Sequence, residues 1–211
     1  MEVKNFFFNF DKIQREEFKK KQSLSILPAD LFNYFISSYL KEYDEKEIKD
    51  IENFFSKLAV LNFDKIYKNY LSHPIRLAQM WICINKKVPV SEIKFALAHN
   101  IIENGYFEKI KNNLEDTEIE KIKILTIDRN KEKNLSYLNN YYMNIEKHSE
   151  NLIIFKSLDK LDNLLIGEKY LFDEYSINLL KNEVCNRLKK YNTKLNNYII
   201  NIINLYEKKY S

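Results

Sequence analysis

The sequence predicts an all-α protein, and three observations carry that expectation. Only 2 Gly and 3 Pro occur in 211 residues, so the turn chemistry that many short strands would need is missing. Lys, Leu and Glu, all good helix formers, are abundant throughout. Apolar residues recur three and four apart over long stretches, as in Leu31, Phe32, Phe35 and Ile36, which is the spacing of a helix with one buried face. With 45% apolar residues the chain can bury one good core. The expected organisation is an N-terminal helical extension over 1–45 and a helical domain over 46–211.

Taken in order, the residues up to about Lys21 are aromatic and charged and read as a short helix. Pro28 and Asp30 are start signals for a helix through Leu31–Leu40. This segment could serve as a lid, as the contact of a homodimer or as a supplement to the core, and the last is the simplest. From Glu47 to about Asn69 one or two helices are expected, with Ile51, Phe54, Phe55, Leu58, Ala59 and Leu61 inward. Pro74 fits a first helical position, where its missing N–H is not needed. That helix should run through Leu77, Met80, Trp81 and Ile84 to about Asn85. Ser91 reads as an N-cap for a helix to Asn104, and Gly105 sits where a left-handed stop belongs. Further helices are expected over Glu118–Ile127, Leu135–His148 and Asn151–Leu165, with a polar loop over Arg129–Asn134. The tyrosines and methionine at 137, 141, 142 and 143 fall at helical spacing and read as core. Two closing helices should span Phe172–Tyr206, with Ile177, Leu180, Val184, Leu188, Leu195, Tyr198, Ile199, Ile202 and Leu205 inward.

Charge narrows the function. The net +4 comes from 34 basic and 30 acidic residues that are mixed along the chain rather than blocked. Mixed charge argues against a nucleic-acid stripe, while a mild positive excess suits an anionic small molecule. Cys83 and Cys185 form no spaced motif, as expected for a reducing cytoplasm. No signal peptide or membrane span is expected, because the apolar run at the start is short and carries Glu2.

The chemistry concentrates around Ala96–Gly105. His99 and Glu103 are four apart, as are Asn100 and Asn104, so on a helix each pair shares a face among Phe95, Leu97, Ala98, Ile101 and Ile102. An imidazole and a carboxylate in an apolar setting need a partner, since a buried lone charge is very costly, and a metal ion would serve. His73 lies upstream at the mouth of an apolar helix, and Asp159 lies downstream in another.

Three stretches, YLSHPIRLA, LAHNIIENG and FKSLDKLDNL, stand in that order, with LTID between the last two. Together they resemble the HD superfamily of metal-dependent phosphohydrolases, and within it the alarmone (ppGpp) hydrolase domain of RelA/SpoT-type proteins, whose motifs read roughly YxxHPxxVA, LLHDVVEDT and VKLADRLxNL. The resemblance spans Glu47 to Leu165 and implies an HD-type helical bundle. It also implies four protein ligands for a divalent ion: His73, His99, Asn100 and Asp159. Two imidazoles with oxygen ligands suit Mn²⁺ above all, or Fe²⁺ or Zn²⁺, better than Ca²⁺.

Glu103 matches the family's water-directing carboxylate, with Asn104 beside it. Two departures stand out: the family's His-Asp doublet is His99-Asn100 here, and its Glu-Asp pair is Glu103-Asn104. The resemblance places Asn163 against a nucleotide sugar and Lys65 in the family's base-gripping Arg-Lys pair, with Asp64 where the Arg would be. Lys156, Lys160 and Arg129 are candidates for phosphates, against the simpler reading of solvated cations. His148 and Asp162 receive no role.

The implied function is metal-dependent hydrolysis of a nucleotide's phosphate ester or pyrophosphate, most like removal of the 3′-pyrophosphate from an alarmone. The length leaves no room for a synthetase domain. Two alternatives stay open. One is a degenerate domain that binds a nucleotide or a protein without hydrolysis, and the other is an HD nucleotide phosphatase of different specificity. Taken singly, His73 and His99 could also be ordinary core histidines.

Overall fold

A computed structural model describes residues 27–61, 70–166 and 174–210, and the protein is all-α: no strand occurs among them. The expected helix before Lys21, the stretch 62–69 and Lys65 lie outside the described residues. The described chain divides into two compact units, 27–126 and 127–210.

In the first unit, α1 spans Pro28–Tyr39, with Pro28 in its opening turn as expected, and buries Leu31, Phe32 and Phe35. Helix α2, Glu45–Ala59, starts on a reciprocal cap. Asp44 accepts from the Glu47 N–H (2.8 Å), and the Glu47 side chain accepts from the Asp44 N–H (3.0 Å). It buries Ile51, Phe54, Phe55 and Leu58. Phe55 stacks on Phe32 of α1 with ring centroids 3.7 Å apart, so the segment set apart in the sequence as an extension shares this unit's core. Ala59 is exposed and Leu61 half-buried, against expectation, because α2 ends there and the inward stripe ends with it.

Helix α3, Ser72–Asn85, is buried from Ser72 to Cys83, which leaves almost no solvent face. It opens at Ser72, two residues earlier than expected, so Pro74 is the third helical residue, where an N–H is still not needed. Lys86 follows with φ +67° and ψ −91°, a positive-φ conformation uncommon outside glycine, and the helix ends there. Helix α4, Val90–Ala98, starts after Pro89, one residue before the cap expected at Ser91. The Tyr43 hydroxyl donates to the Val88 carbonyl (2.8 Å) and accepts from its N–H (3.0 Å), fixing the approach to α4. Lys94 of α4 pairs with Asp50 of α2 (2.7 Å). After the short α5, Phe107–Ile110, comes α6, Asp116–Leu125.

Glu118 in the first turn of α6 is 2% exposed. One of its oxygens accepts from the Glu115 N–H at 2.5 Å, and the other is buried without a partner among the described residues. Burial, above all, pushes its carboxyl up from 4.5 to about 7. A carboxyl raised in the fold is stabilising while protonated, and that stability is lost as pH rises from the unfolded value through about 7. Unfolding free energy should therefore fall by about 2–3 kcal/mol between pH 5 and 8. Glu118→Gln should flatten this step in urea denaturation at the two pH values, and an unchanged slope would assign it to other groups.

In the second unit, α7 spans Leu135–His148, the bounds expected from the sequence, and is capped by Asn134, which accepts from the Tyr137 N–H (3.0 Å). Helix α8 spans Glu150–Ile166. Residues 174–188 are continuously helical: α9, Glu174–Leu179, runs into a π-wound segment, Leu180–Cys185, and then into α10, Asn186–Leu188. Helix α11, Thr193–Tyr210, closes the chain. Two closing helices were expected here, and the π-winding was not. Ile177, Leu180, Val184, Leu188, Leu195, Ile199 and Ile202 are buried as expected. Tyr198 is half-buried and Leu205 is 47% exposed, while Ile203 takes the inward place. Glu146 of α7 pairs with Arg187 (3.0 Å) and Lys190 (2.8 Å), and the Lys190 bond, first among its contacts, holds its carboxyl below the usual range.

Cys83 and Cys185 are buried free thiols, and burial pushes each up to about 12, so both are inert at neutral pH. No helix among the described residues is long and apolar enough to cross a membrane.

Candidate metal centre

Two histidines meet in the first unit. His73, the second residue of α3, and His99, the residue just after α4, are 6% and 1% exposed. Their Nε2 atoms face each other at 3.2 Å. His99 Nδ1 lies 2.8 Å from the Ala96 carbonyl, which can only accept, so Nδ1 carries the proton and Nε2 of a neutral ring presents its lone pair. A backbone carbonyl on the far nitrogen is the arrangement that fixes tautomer and ring angle in metal-ligating histidines. Two nitrogens about 2.0–2.1 Å from one ion in tetrahedral array would lie about 3.3 Å apart, close to the observed separation.

The helix expected to reach Asn104 ends at Ala98, and the His99 ring is held on the Ala96 carbonyl at that end. The ladder shortens, with the Ile101 N–H on Ala98 (2.8 Å) and the Gly105 N–H on Ile102 (3.0 Å). Residues 99–105 are thus turns rather than α-helix. The chain leaves this segment through Gly105 at φ +75°, where no atom within 4 Å would oppose a Cβ; the backbone angle alone favours glycine. Asn100, Glu103 and Asn104 are half-buried on these turns. The Asn104 Nδ2 is buried and has no hydrogen-bond partner among the described residues.

In the second unit, Asp159 sits on α8 and is 5% exposed. Lys156, one turn earlier, pairs with it at 2.9 Å, and its ammonium lies 5.8 Å from the Tyr141 ring centroid. The simpler reading of Lys156 as a solvated cation is therefore incorrect: a lysine beside a buried carboxylate is held inside by its charge. Asp162, given no role in the sequence reading, is fully buried, and burial pushes the phenol of Tyr142 on α7 far up. Lys160, Asn163 and Ser176 line a cavity of about 100 Å³ with Tyr142, Leu164, Leu179 and Leu180, so Asn163 faces a cleft rather than open surface. Arg129 is exposed in the short 3₁₀ turn Arg129–Lys131 and pairs with Glu132 (3.4 Å). Asp128 caps that turn, and Lys131 beside it holds its carboxyl below the usual range.

In the first unit the buried His73 and His99, and in the second the buried Asp159, each offer an atom of the kind that ligates a metal ion. Two imidazole nitrogens and a carboxylate oxygen are a donor set for first-row divalent ions. Sequence reasoning missed the other polar groups buried on the helices that carry His73 and Asp159: Ser72, Arg76 and Gln79 on α3, and Ser157 and Asp162 on α8. A lysine or arginine inside an apolar helix is a signal that could have found Lys156 and Arg76, since such side chains are seldom buried unless paired. Compared with known protein families, with curated proteins and with solved structures, the chain gives no match.

Proposed function

We propose that the protein is a metal-dependent phosphohydrolase acting on a nucleotide, with His73, His99 and Asp159 as ligands of a divalent ion, Mn²⁺ foremost, and Asn100 as a neutral fourth. The observation that carries this reading is the facing pair of Nε2 atoms at 3.2 Å, with the His99 far nitrogen already committed to Ala96. The motif resemblance supports it and supplies the substrate class, a phosphate ester or pyrophosphate such as that of an alarmone. When bound, the ion polarises a phosphoryl oxygen and makes water more acidic. Glu103 orients the attacking water and takes its proton; the water oxygen forms the new P–O bond as the leaving oxygen departs. Asn104 adds a hydrogen-bonding amide and no base. The resemblance gives Asn163 to the nucleotide sugar, and Lys160, which lines the same cavity, is the candidate for a phosphate.

The test is metal content followed by a nucleotide panel. Protein purified without chelator should carry close to one transition metal per chain, and His99→Ala should lose it, since removing one of two imidazoles takes away both charge transfer and geometry. No metal after Mn²⁺ titration of the wild-type chain would leave the second reading, a non-hydrolysing binding domain. Asn100 and Asn104 favour that alternative, for each stands where the family carries a carboxylate.

A further inference from the structure

We infer that Lys156 is the internal counter-ion of Asp159, which the carboxylate exchanges for a metal, so that Lys156 sets how tightly the site holds its ion. This rests on the reading of Asp159 as a metal ligand. The two residues are three apart on α8, and their charged atoms are 2.9 Å apart. An exposed pair at this spacing contributes a few tenths of a kcal/mol. This one is not exposed: each side chain keeps 7% of its accessible surface. In so dry a place neither charge is tolerable alone, and the ammonium neutralises the carboxylate whenever no cation is present.

A divalent ion asks for the same carboxylate oxygens. An ammonium 2.9 Å from one of them would repel the ion at short range in a low-dielectric setting. The pair and the metal therefore compete for Asp159. Lysine suits that role, because its charge rides on a flexible four-carbon stem and can swing away while the stem stays packed. Tyr141, with its ring centroid 5.8 Å from the ammonium, offers a π face that holds the cation only weakly. Breaking the pair opposes metal binding, and the neutral Asn100 does nothing to offset that opposition.

The experiment is calorimetric titration of the full chain with Mn²⁺ alone, together with melting temperatures with and without Mn²⁺, for wild type, Lys156→Met, Lys156→Gln and Lys156→Arg. A charge-assisted hydrogen bond that no longer has to be broken should tighten Mn²⁺ binding about ten- to a hundredfold in Lys156→Met and Lys156→Gln. The same two variants should melt lower than wild type without metal and recover with it, because the ion then replaces the missing charge. Lys156→Arg keeps the charge and should stay within about threefold of wild type. Folded Met or Gln variants that bind Mn²⁺ no tighter than wild type overturn the inference and leave the metal site standing. Variants that stay unfolded in saturating Mn²⁺ also overturn it, since the ion would not be standing in for the ammonium. Absence of Mn²⁺ binding in wild type and in every variant removes the metal-site reading itself, and this inference with it.

Discussion

Glu103→Gln should lower steady-state nucleotide hydrolysis by about 10²–10⁴, or roughly 3–5 kcal/mol of barrier, while leaving fold and metal content in place. Glutamine keeps the shape and most of the hydrogen bonding of glutamate but cannot accept a proton at ordinary pH. The effect should be large because Asn104, the next residue, has no ionisable group to take over. Both sit half-buried on the turns after His99, so a polar substitution there opens no core cavity. Asn104→Asp should keep or raise the rate by supplying a second carboxylate. The measurement is hydrolysis of ppGpp, pppGpp, ppApp and simple nucleoside phosphates with Mn²⁺, alongside metal content and a melting curve. A Glu103→Gln chain that turns over substrate at the wild-type rate would remove Glu103 from the chemistry.

Much of the fold was legible because local signals and packing agree. Asn134 caps α7 and the apolar spacing from Leu138 to Ile145 fixes its buried face, so its bounds were readable to the residue. Where they disagree, the sequence misleads. Ala59 and Leu205 continue helical stripes past the point where anything packs against them. Residues 99–105 carry a helical apolar pattern, yet they form successive turns that end at Gly105. No residue type between His99 and Asn104 announces that change. The π-winding over Leu180–Cys185 is silent for a similar reason, since one extra residue in a turn leaves composition unchanged.

The candidate site divides the same way. His73, His99 and Asp159 could be named from motif order, and all three are buried. Their immediate surroundings could not. The Lys156–Asp159 pair depends on the burial of α8 on nearly every side, a property of packing that lysine's usual surface preference hides.

Phe35→Ala should destabilise the protein by about 3–5 kcal/mol, the largest stability effect expected of a single substitution here. Phe35 is fully buried on α1, with its ring 5.9 Å from that of Phe32 and 6.1 Å from that of Tyr39. Phe32 in turn stacks on Phe55 of α2, and α1 also packs against α3, the helix that carries His73. Truncation would leave a ring-sized void among side chains held by three helices, with little freedom to collapse into it. Against a typical domain stability of about 5–15 kcal/mol, that loss is a large share. In urea the midpoint should drop sharply at an unchanged slope, the sign of a weaker fold rather than a different one. Were α1 a detachable lid over a self-sufficient domain, the same substitution would cost under about 1 kcal/mol, as surface changes do. A drop of that smaller size would move residues 28–39 out of the core of the first unit; the larger one makes them part of the support beneath His73.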